Sequence, residues 1–479
     1  MNSIPNHVIL SRANPVNPSG ANPVSANPVI LRSGAKDPYP GRSLLIALLL
    51  IGLALRLGIV FAFHDFESPP TWEYGATASN LAAGKGYSGG GWLGPEGPTA
   101  LNSPGYIVFL AAALRLFGPH AYVVVELAQA VLSAVMPLIV YRIAGLLFDR
   151  RIAVLSFALA ALYPPYLYFP KQITPAIATA FATGLAVLLV LELRRRRSAP
   201  FAALCGLVIG LAILTEGLAL LVVIGLALLW RRSIAQRSLA IATTVALLTI
   251  LPWTWRNYVV FDAFVPLKTS FGLNLWLGNN PHATGTIFTS DGRYMPDVIE
   301  PDQARALAEM NEAKRYETLQ REAFAWIIAN PQRFLELSAR RLVYYWWGSP
   351  LADLAPEMLS SPVLLYQVQL ILHVPFLALG LLGIYAAFRA NRATTAPAVV
   401  PSSRKGIWAW FPSNREAILG LLWWLLSYTL VYAATLPNAR RVRLPAELPL
   451  IIFAACALVL LWRLCGSRNL SKISLIKIR

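Results

Sequence analysis

Long apolar runs recur between residues 43 and 463, separated by polar stretches of very unequal length. A bilayer core of roughly 30 Å needs about 20 apolar residues in a helix. On that criterion the runs near 43–63, 120–144, 152–169, 173–193, 199–214, 217–230, 238–255, 362–388, 416–434 and 447–463 predict about ten membrane-spanning helices. An even count returns both termini to the same side of the membrane.

Three of the intervening stretches fall on the side away from the termini. The first runs from Phe63 to His120 and contains "SPGYIVFLAAALRLFG"; with about 14 apolar residues, interrupted by Arg115, this reads as a surface-lying helix rather than a span. The second is a mixed segment of about 105 residues, Asn257 to Ser361. In it, Pro301 to Ala329 carries dense alternating charge at helical spacing, as a solvated helix does, and "RFLELSARRLVYYWWG" reads as an amphipathic helix with an aromatic end suited to the interface. The third is "ATLPNARRVRLPAE", between the last two runs.

Composition agrees with this pattern. The chain is 56% hydrophobic and 13% charged, with a mean hydropathy of +0.55, too little polar surface for a soluble globule of 479 residues. The expectation is an all-α polytopic membrane protein. Its formal charge of +18 does not indicate nucleic-acid binding, because the basic residues cluster at the ends of apolar runs: Arg42, Arg150 and Arg151, Arg194 to Arg197, Arg231 and Arg232, Arg389 and Arg392, Arg404 and Lys405, and the tail after Arg463. All fall on the side of the termini, so both termini are expected in the cytoplasm, with "KISLIKIR" touching anionic lipid. Cys205, Cys456 and Cys465 lack any pairing or metal-ligand spacing. The Ala-Asn-Pro-Val repeats at Ala13, Ala21 and Ala26 mark residues 1–42 as a disordered tail, not a cleavable signal. The expected organisation is that tail, spans over 43–256 with an outer loop at 64–119, the outer segment 257–361, spans over 362–464 and a basic tail 465–479.

Ionisable residues inside spans are costly and therefore candidates for a site. Arg56 and Glu126 lie at similar depths in the first two spans and can pair, either structurally or along a substrate cavity. Glu192 sits beside four arginines and reads as local pairing; Glu216, in Thr215-Glu216-Gly217, reads as a turn residue. Arg440, Arg441 and Arg443 are positive on the side that orientation disfavours, which calls for an anion, such as a phosphate, a lipid headgroup or Glu447. Arg256 follows an aromatic belt and is a second phosphate candidate, while Lys85 in Gly84-Lys85-Gly86 is either a solvated turn lysine or a further one. Trp276, Asn279 and Asn280 are groups that bind sugars, though Gly-Asn-Asn-Pro is also a turn. The acids of the first outer loop are Asp65, Glu67, Glu73 and Glu96. Glu73 has the chemistry of a general base; its alternative is an ordinary loop residue.

Several stretches together resemble the GT-C integral membrane glycosyltransferases, in particular the bacterial branch of glycosyltransferase family 39 related to protein O-mannosyltransferases and lipid A aminoarabinose transferases. They are "WEYGATASNLAAGKGYS", the Pro-Gly-Tyr of "NSPGYIVFLAAALRLFG", "VELAQAVLSAVMPLIVYRIAGLLFDRRIAVLSFALAALYPP", "LPWTWRNYVVFDAFVPLKTSFGLNLWLGNN" and "RRVRLPAELP", in family order over nearly all of the chain after residue 43. The resemblance implies a GT-C-like fold in a bacterial inner membrane and inverting transfer of a sugar from a polyprenyl-phosphate donor to an acceptor hydroxyl at the outer face. It implies Glu73 as base and Arg441 and Arg443 as the donor-phosphate grip, with Val442 in place of the usual aromatic. Arg256 and Lys85 are expected to assist, and Tyr74, Arg56, Trp276 and Asn279 to line the cavity. The family acid that precedes the loop tyrosine by three or four residues is replaced by Pro70 and Thr71, which makes Asp65 an alternative base. No cofactor or metal site is indicated, although Asp65 and Glu73 can together hold a divalent cation. The acceptor, whether lipid, glycan or protein, is open. Two other classes fit the same features: a non-catalytic transporter or flippase of polyprenyl-linked sugars, and a scaffold that retains a degenerate transferase fold.

Overall fold

Apolar sequence becomes helix wherever the structure describes it. The computed structural model describes residues 42–63, 65–90, 93–347, 363–395, 414–435 and 440–476. The expectations for residues 1–41, for Arg404 and Lys405, for the final residues 477–479 and for 348–361 lie outside the described residues.

The helices are α1 (Arg42–Ala62), α2 (Trp72–Ala82), α3 (Pro104–Phe117), α4 (Ala121–Leu147), α5 (Arg150–Ala161), α6 (Pro164–Tyr168), α7 (Ala176–Leu193), α8 (Ala199–Thr215), α9 (Leu218–Trp230), α10 (Gln236–Phe261), α11 (Ser270–Gly278), α12 (Pro301–Glu309), α13 (Glu312–Ala329), α14 (Pro331–Trp347), α15 (Val363–Thr395), α16 (Arg415–Thr435) and α17 (Leu444–Ile476). An antiparallel pair, β1 (Ser88–Gly90) and β2 (Glu96–Pro98), joins α2 to α3 in the register Ser88↔Pro98, Gly89↔Gly97, Gly90↔Glu96. Local signals set several boundaries. Asp149 and Asn311 cap α5 and α13 by accepting from the amides of Ile152 and Lys314, both at 2.9 Å. Asp262, at φ 50°, ends α10 in the left-handed region.

By length and composition, seven described helices can cross a membrane, or eight if the pair Arg150–Ala161 and Pro164–Lys171, bent by 46°, counts as one span. Helices α8 and α9 are apolar but shorter, with 17 and 13 residues. Each of the ten expected runs meets an apolar helix, but the count by length is seven or eight rather than ten.

The stretch from Pro104 to Leu147 is continuously helical, yet it does not run straight. Gly118, at φ 52°, interrupts it, and the Tyr106 hydroxyl donates to Gln129 Oε1 at 3.1 Å. In a straight helix residues so far apart in sequence would be separated by roughly 35 Å. Helix α3 therefore folds back on α4. It buries Tyr106, Ile107, Leu110, Ala111 and Ala113, and exposes Val108, Phe109, Leu116 and Phe117.

Packing between spans follows small residues. Gly206 and Gly210 of α8 form a Gly-x-x-x-Gly face against α10, where a side chain on Gly206 would strike the Ala242 carbonyl and one on Gly210 would meet Thr249 Cβ at 2.6 Å. The main core joins α4, α5, α7, α8, α9, α16 and α17; a second cluster centres on Tyr74, Tyr87, Tyr106 and Leu110, and a third on Leu273, Trp276, Tyr316 and Leu319.

Candidate functional site

Beside the second core cluster, two segments that are far apart in sequence meet. Glu73 lies in the first turn of α2, where the helix amino end favours a carboxylate. Arg441 lies in a short 3-10 turn, Arg440–Arg443, that leads into α17. Arg441 Nη2 donates to Glu73 Oε1 at 3.0 Å, and the two side chains remain 33% and 22% exposed. The guanidinium lies 5.2 Å from the Tyr74 ring centroid and 5.7 Å from that of Trp72, within cation–π range.

Tyr74 is buried and meets Tyr106 edge to face at 5.9 Å. Burial pushes its phenol well above the usual tyrosine range; Arg441 opposes that shift, while the charges of Glu73 and Glu216 and a hydrogen bond to Glu73 reinforce it. The phenol is therefore held in its neutral form. Trp72 holds φ at 51°, a left-handed conformation that costs a bulky residue on the order of 1–3 kcal/mol. Gly75 follows from the same tight entry, because any side chain there would overlap Thr71. Strain and close approach thus concentrate on the residues around Glu73.

A second ion pair lies at the turn between α8 and α9. Lys268 Nζ lies 2.9 Å from Glu216 Oε1, and the Glu216 charge acts on Tyr74. Glu216 occupies the turn between α8 and α9, where its carbonyl accepts from the Ala219 amide at 3.0 Å, and its side chain adds the pair with Lys268. The only signal in the sequence was an acid in a very short hairpin between two apolar runs.

Other expected site residues hold the frame. Arg443 is buried and points inward: its Nε bonds Glu447 Oε1 at 2.5 Å, and its Nη1 donates to the carbonyls of Tyr345 at 3.0 Å and Trp346 at 3.2 Å. It fixes the turn that carries Arg441. Arg256 donates to the carbonyls of Thr99 and Tyr87, both at 2.8 Å, and packs among the rings of Tyr87, Trp253 and Phe261, so it staples the first loop to α10. Beside it, the buried Glu312 accepts from Thr99 Oγ1 at 2.6 Å, the Ala100 amide at 2.8 Å and Thr269 Oγ1 at 2.6 Å. Trp276 is packed in the third core cluster. Asn279 donates to the carbonyls of Leu275 and Ala434, and accepts from Arg341, which also bonds the Ala433 and Ala434 carbonyls that end α16.

Arg56 does not pair with Glu126. Its Nε donates to Ser133 Oγ at 2.8 Å and its Nη1 to the carbonyls of Gly52 at 2.7 Å and Ala161 at 2.9 Å, tying α1 to α4 and α5. Backbone carbonyls offer partners inside a bilayer without a second charge. Glu126 is buried in α4. Asp65 is exposed and accepts the Ser68 amide at 3.2 Å. Lys85 is exposed between Gly84 and Gly86, both at positive φ. Among the described residues, no group of three or more His, Cys, Asp or Glu is arranged to hold a metal ion.

Glu73, Tyr74 and Arg441 therefore come together. A partly exposed carboxylate, a guanidinium with an anion-binding fork and two aromatic faces suit an anionic, sugar-bearing ligand and a proton transfer.

Residues 102–255 match the family described as dolichyl-phosphate-mannose-protein mannosyltransferase. No curated protein matches the chain. Among solved structures, the apo oligosaccharyltransferase of Archaeoglobus fulgidus aligns over 90% of this chain and 52% of its own, with 15% identity and a TM-score of 0.50. The archaeal oligosaccharyltransferase AglB from Archaeoglobus fulgidus, in complex with an inhibitory peptide and a dolichol-phosphate, aligns over 90% and 52% with 15% identity and a TM-score of 0.48. ArnT from Cupriavidus metallidurans bound to undecaprenyl phosphate aligns over 88% and 77% with 16% identity and a TM-score of 0.39. The chain spans about half the length of the archaeal enzyme. It is a multi-span membrane protein with a GT-C glycosyltransferase-like fold, and its residues 102–255 carry the match to the mannosyltransferase family.

Proposed function

We propose that this protein is a glycosyltransferase that moves a sugar from a polyprenyl-phosphate-linked donor to an acceptor hydroxyl at the outer face of the membrane, with inversion. The observation that carries this reading is the Glu73–Arg441 pair, partly exposed and framed by Trp72 and Tyr74. The matched family description, which names a dolichyl-phosphate sugar donor, supports the choice of substrate class.

In the resting state each member of the pair occupies the other. A partly exposed ion pair is worth about 1 kcal/mol or less, so a donor phosphodiester, whose two non-bridging oxygens match the guanidinium fork, can recruit Arg441 at small cost. Recruitment releases Glu73. The acceptor oxygen then attacks the anomeric carbon while its proton passes to the Glu73 carboxylate. The bond from that carbon to the phosphate oxygen breaks, and the lipid phosphate leaves with the electron pair, its charge balanced by Arg441. Arg443 acts through Arg441 as a positioning residue, and the Glu312 and Arg256 contacts hold the loop that carries Glu73.

Purified protein given radiolabelled polyprenyl-phosphate sugar in detergent tests this. Release of polyprenyl phosphate, with acceptor or slowly with water, is expected. Movement of intact donor across reconstituted vesicles without such release would overturn the reading in favour of a transporter.

A further inference from the structure

Helix α15 carries an imidazole inside an apolar stretch, "LILHVPFLALG", residues 370–380. His373 is wholly buried, and a polar ring in such surroundings is costly unless a neighbour bonds it. Its neighbours lead to the turn that carries Arg441. His373 Nδ1 and the Tyr163 hydroxyl share a hydrogen bond of 2.6 Å, and Tyr163 lies in the break between α5 and α6. Glu447 Oε1, which accepts from Arg443, is 3.9 Å from the same nitrogen.

On its other side the imidazole stacks on Trp346 of α14, with 6.2 Å between centroids and 11° between planes. The Trp346 carbonyl is one of the acceptors that hold Arg443, at 3.2 Å. Tyr166 of α6 meets Tyr163 edge to face at 5.1 Å and donates to the carbonyl of Leu444, the residue after Arg443, at 3.0 Å. His373 Nε2 has no hydrogen-bond partner among the described residues, so the bond at Nδ1 sets the rotation of the ring. Turned away from Tyr163, the ring would no longer lie flat on Trp346, and the Arg443 acceptors would lose that support.

We infer that His373 is a positioning residue for Arg441. Bonded to Tyr163 and stacked on Trp346, it braces Arg443 and with it the turn Arg440–Arg443, which sets the Arg441 guanidinium against Glu73. It touches no reacting atom. Its effect on rate rests on the proposed transfer reaction, whereas the brace does not.

Paired substitutions in the full chain separate the brace from the fold. Replacing both partners of a buried hydrogen bond by apolar groups of similar shape is nearly neutral to stability, so Tyr163→Phe/His373→Phe should unfold in SDS close to wild type. Its amides at residues 440–443 should nevertheless exchange with deuterium about tenfold faster. Its kcat with labelled polyprenyl-phosphate sugar should fall about tenfold, because small misplacements of a group that acts in the transition state are costly. Tyr163→Phe alone should show both changes in smaller measure, and His373→Asn, whose amide can take the place of Nδ1 opposite Tyr163, should stay near wild type in both. In an Arg441→Ala background the double Phe variant should lower kcat no further. Unchanged exchange at 440–443 in the Phe variants, exchange in His373→Asn as fast as in the double Phe variant, or an equal fall in kcat in both Arg441 backgrounds would overturn the inference. A wild-type protein that releases no sugar would instead refute the transferase reading, and the exchange comparison would still decide the brace.

Discussion

Replacing Arg441 separates its proposed catalytic role from a structural one. In the folded protein its Nη2 meets Glu73 Oε1 at 3.0 Å, with both side chains partly exposed. Solvent screening limits such a pair to about 1 kcal/mol or less of stability, so Arg441→Ala should unfold nearly as wild type does. Against a departing phosphate the same guanidinium acts on charge that develops only in the transition state, where losing one such donor costs about 2.7–4 kcal/mol. The expected result is a fall in kcat/KM of roughly 10²–10³-fold with an unfolding midpoint in detergent close to that of wild type. Arg441→Lys retains charge but loses the fork and should fall between the two. Turnover of labelled donor and SDS-unfolding titrations on the same preparations give both numbers. Unchanged kcat/KM in Arg441→Ala, or a loss matched by loss of folded protein, would refute the reasoning.

Other residues should show the converse balance. Glu312→Ala removes the acceptor for Thr99, Ala100 and Thr269, and should cost about 3 kcal/mol in an unfolding titration, with Glu312→Gln costing less. Glu447→Ala leaves Arg443 buried without its carboxylate and should destabilise by about 3–5 kcal/mol, whereas Arg443→Met/Glu447→Leu should recover most of that in the same titration. The phenol of Tyr74 titrates above its unfolded value of about 10, so the stability its neutral form contributes is fully present below that pH and is lost as pH rises through the folded value. Unfolding midpoints of wild type should therefore fall more steeply on the alkaline side than those of Tyr74→Phe; parallel profiles would contradict this.

The length of the apolar runs was enough to place the apolar helices among the described residues, though not to say which of them cross alone, because a run of that length has few other folds available in a bilayer. It did not supply rotation about the helix axis. Arg56 and Glu126 lie at matching depth, yet Arg56 turns to Ser133 and two carbonyls. Arg443 and Glu447 pair within one helical turn, so their contact was readable from spacing. The contact between Arg441 and Glu73 joins residues 368 apart, and nothing local in either segment specifies it. Only the order of several motifs along the chain pointed to both. Glu216 was hidden for the same reason: its partner, Lys268, lies 52 residues away on a segment that reads as an ordinary loop. Arg256, Trp276 and Asn279 show the reverse, since residue types suited to sugars and phosphates also staple loops when their donors meet backbone carbonyls.

Single-turnover measurement of the Glu73→Gln protein tests the central claim most directly. With labelled polyprenyl-phosphate sugar bound at saturation, binding should stay near the wild-type level while the rate of sugar release with acceptor falls roughly 10²–10⁴-fold, the span of a lost general base. A rate equal to that of wild type, or a loss of donor binding large enough to account for the whole effect, would contradict the role given to Glu73.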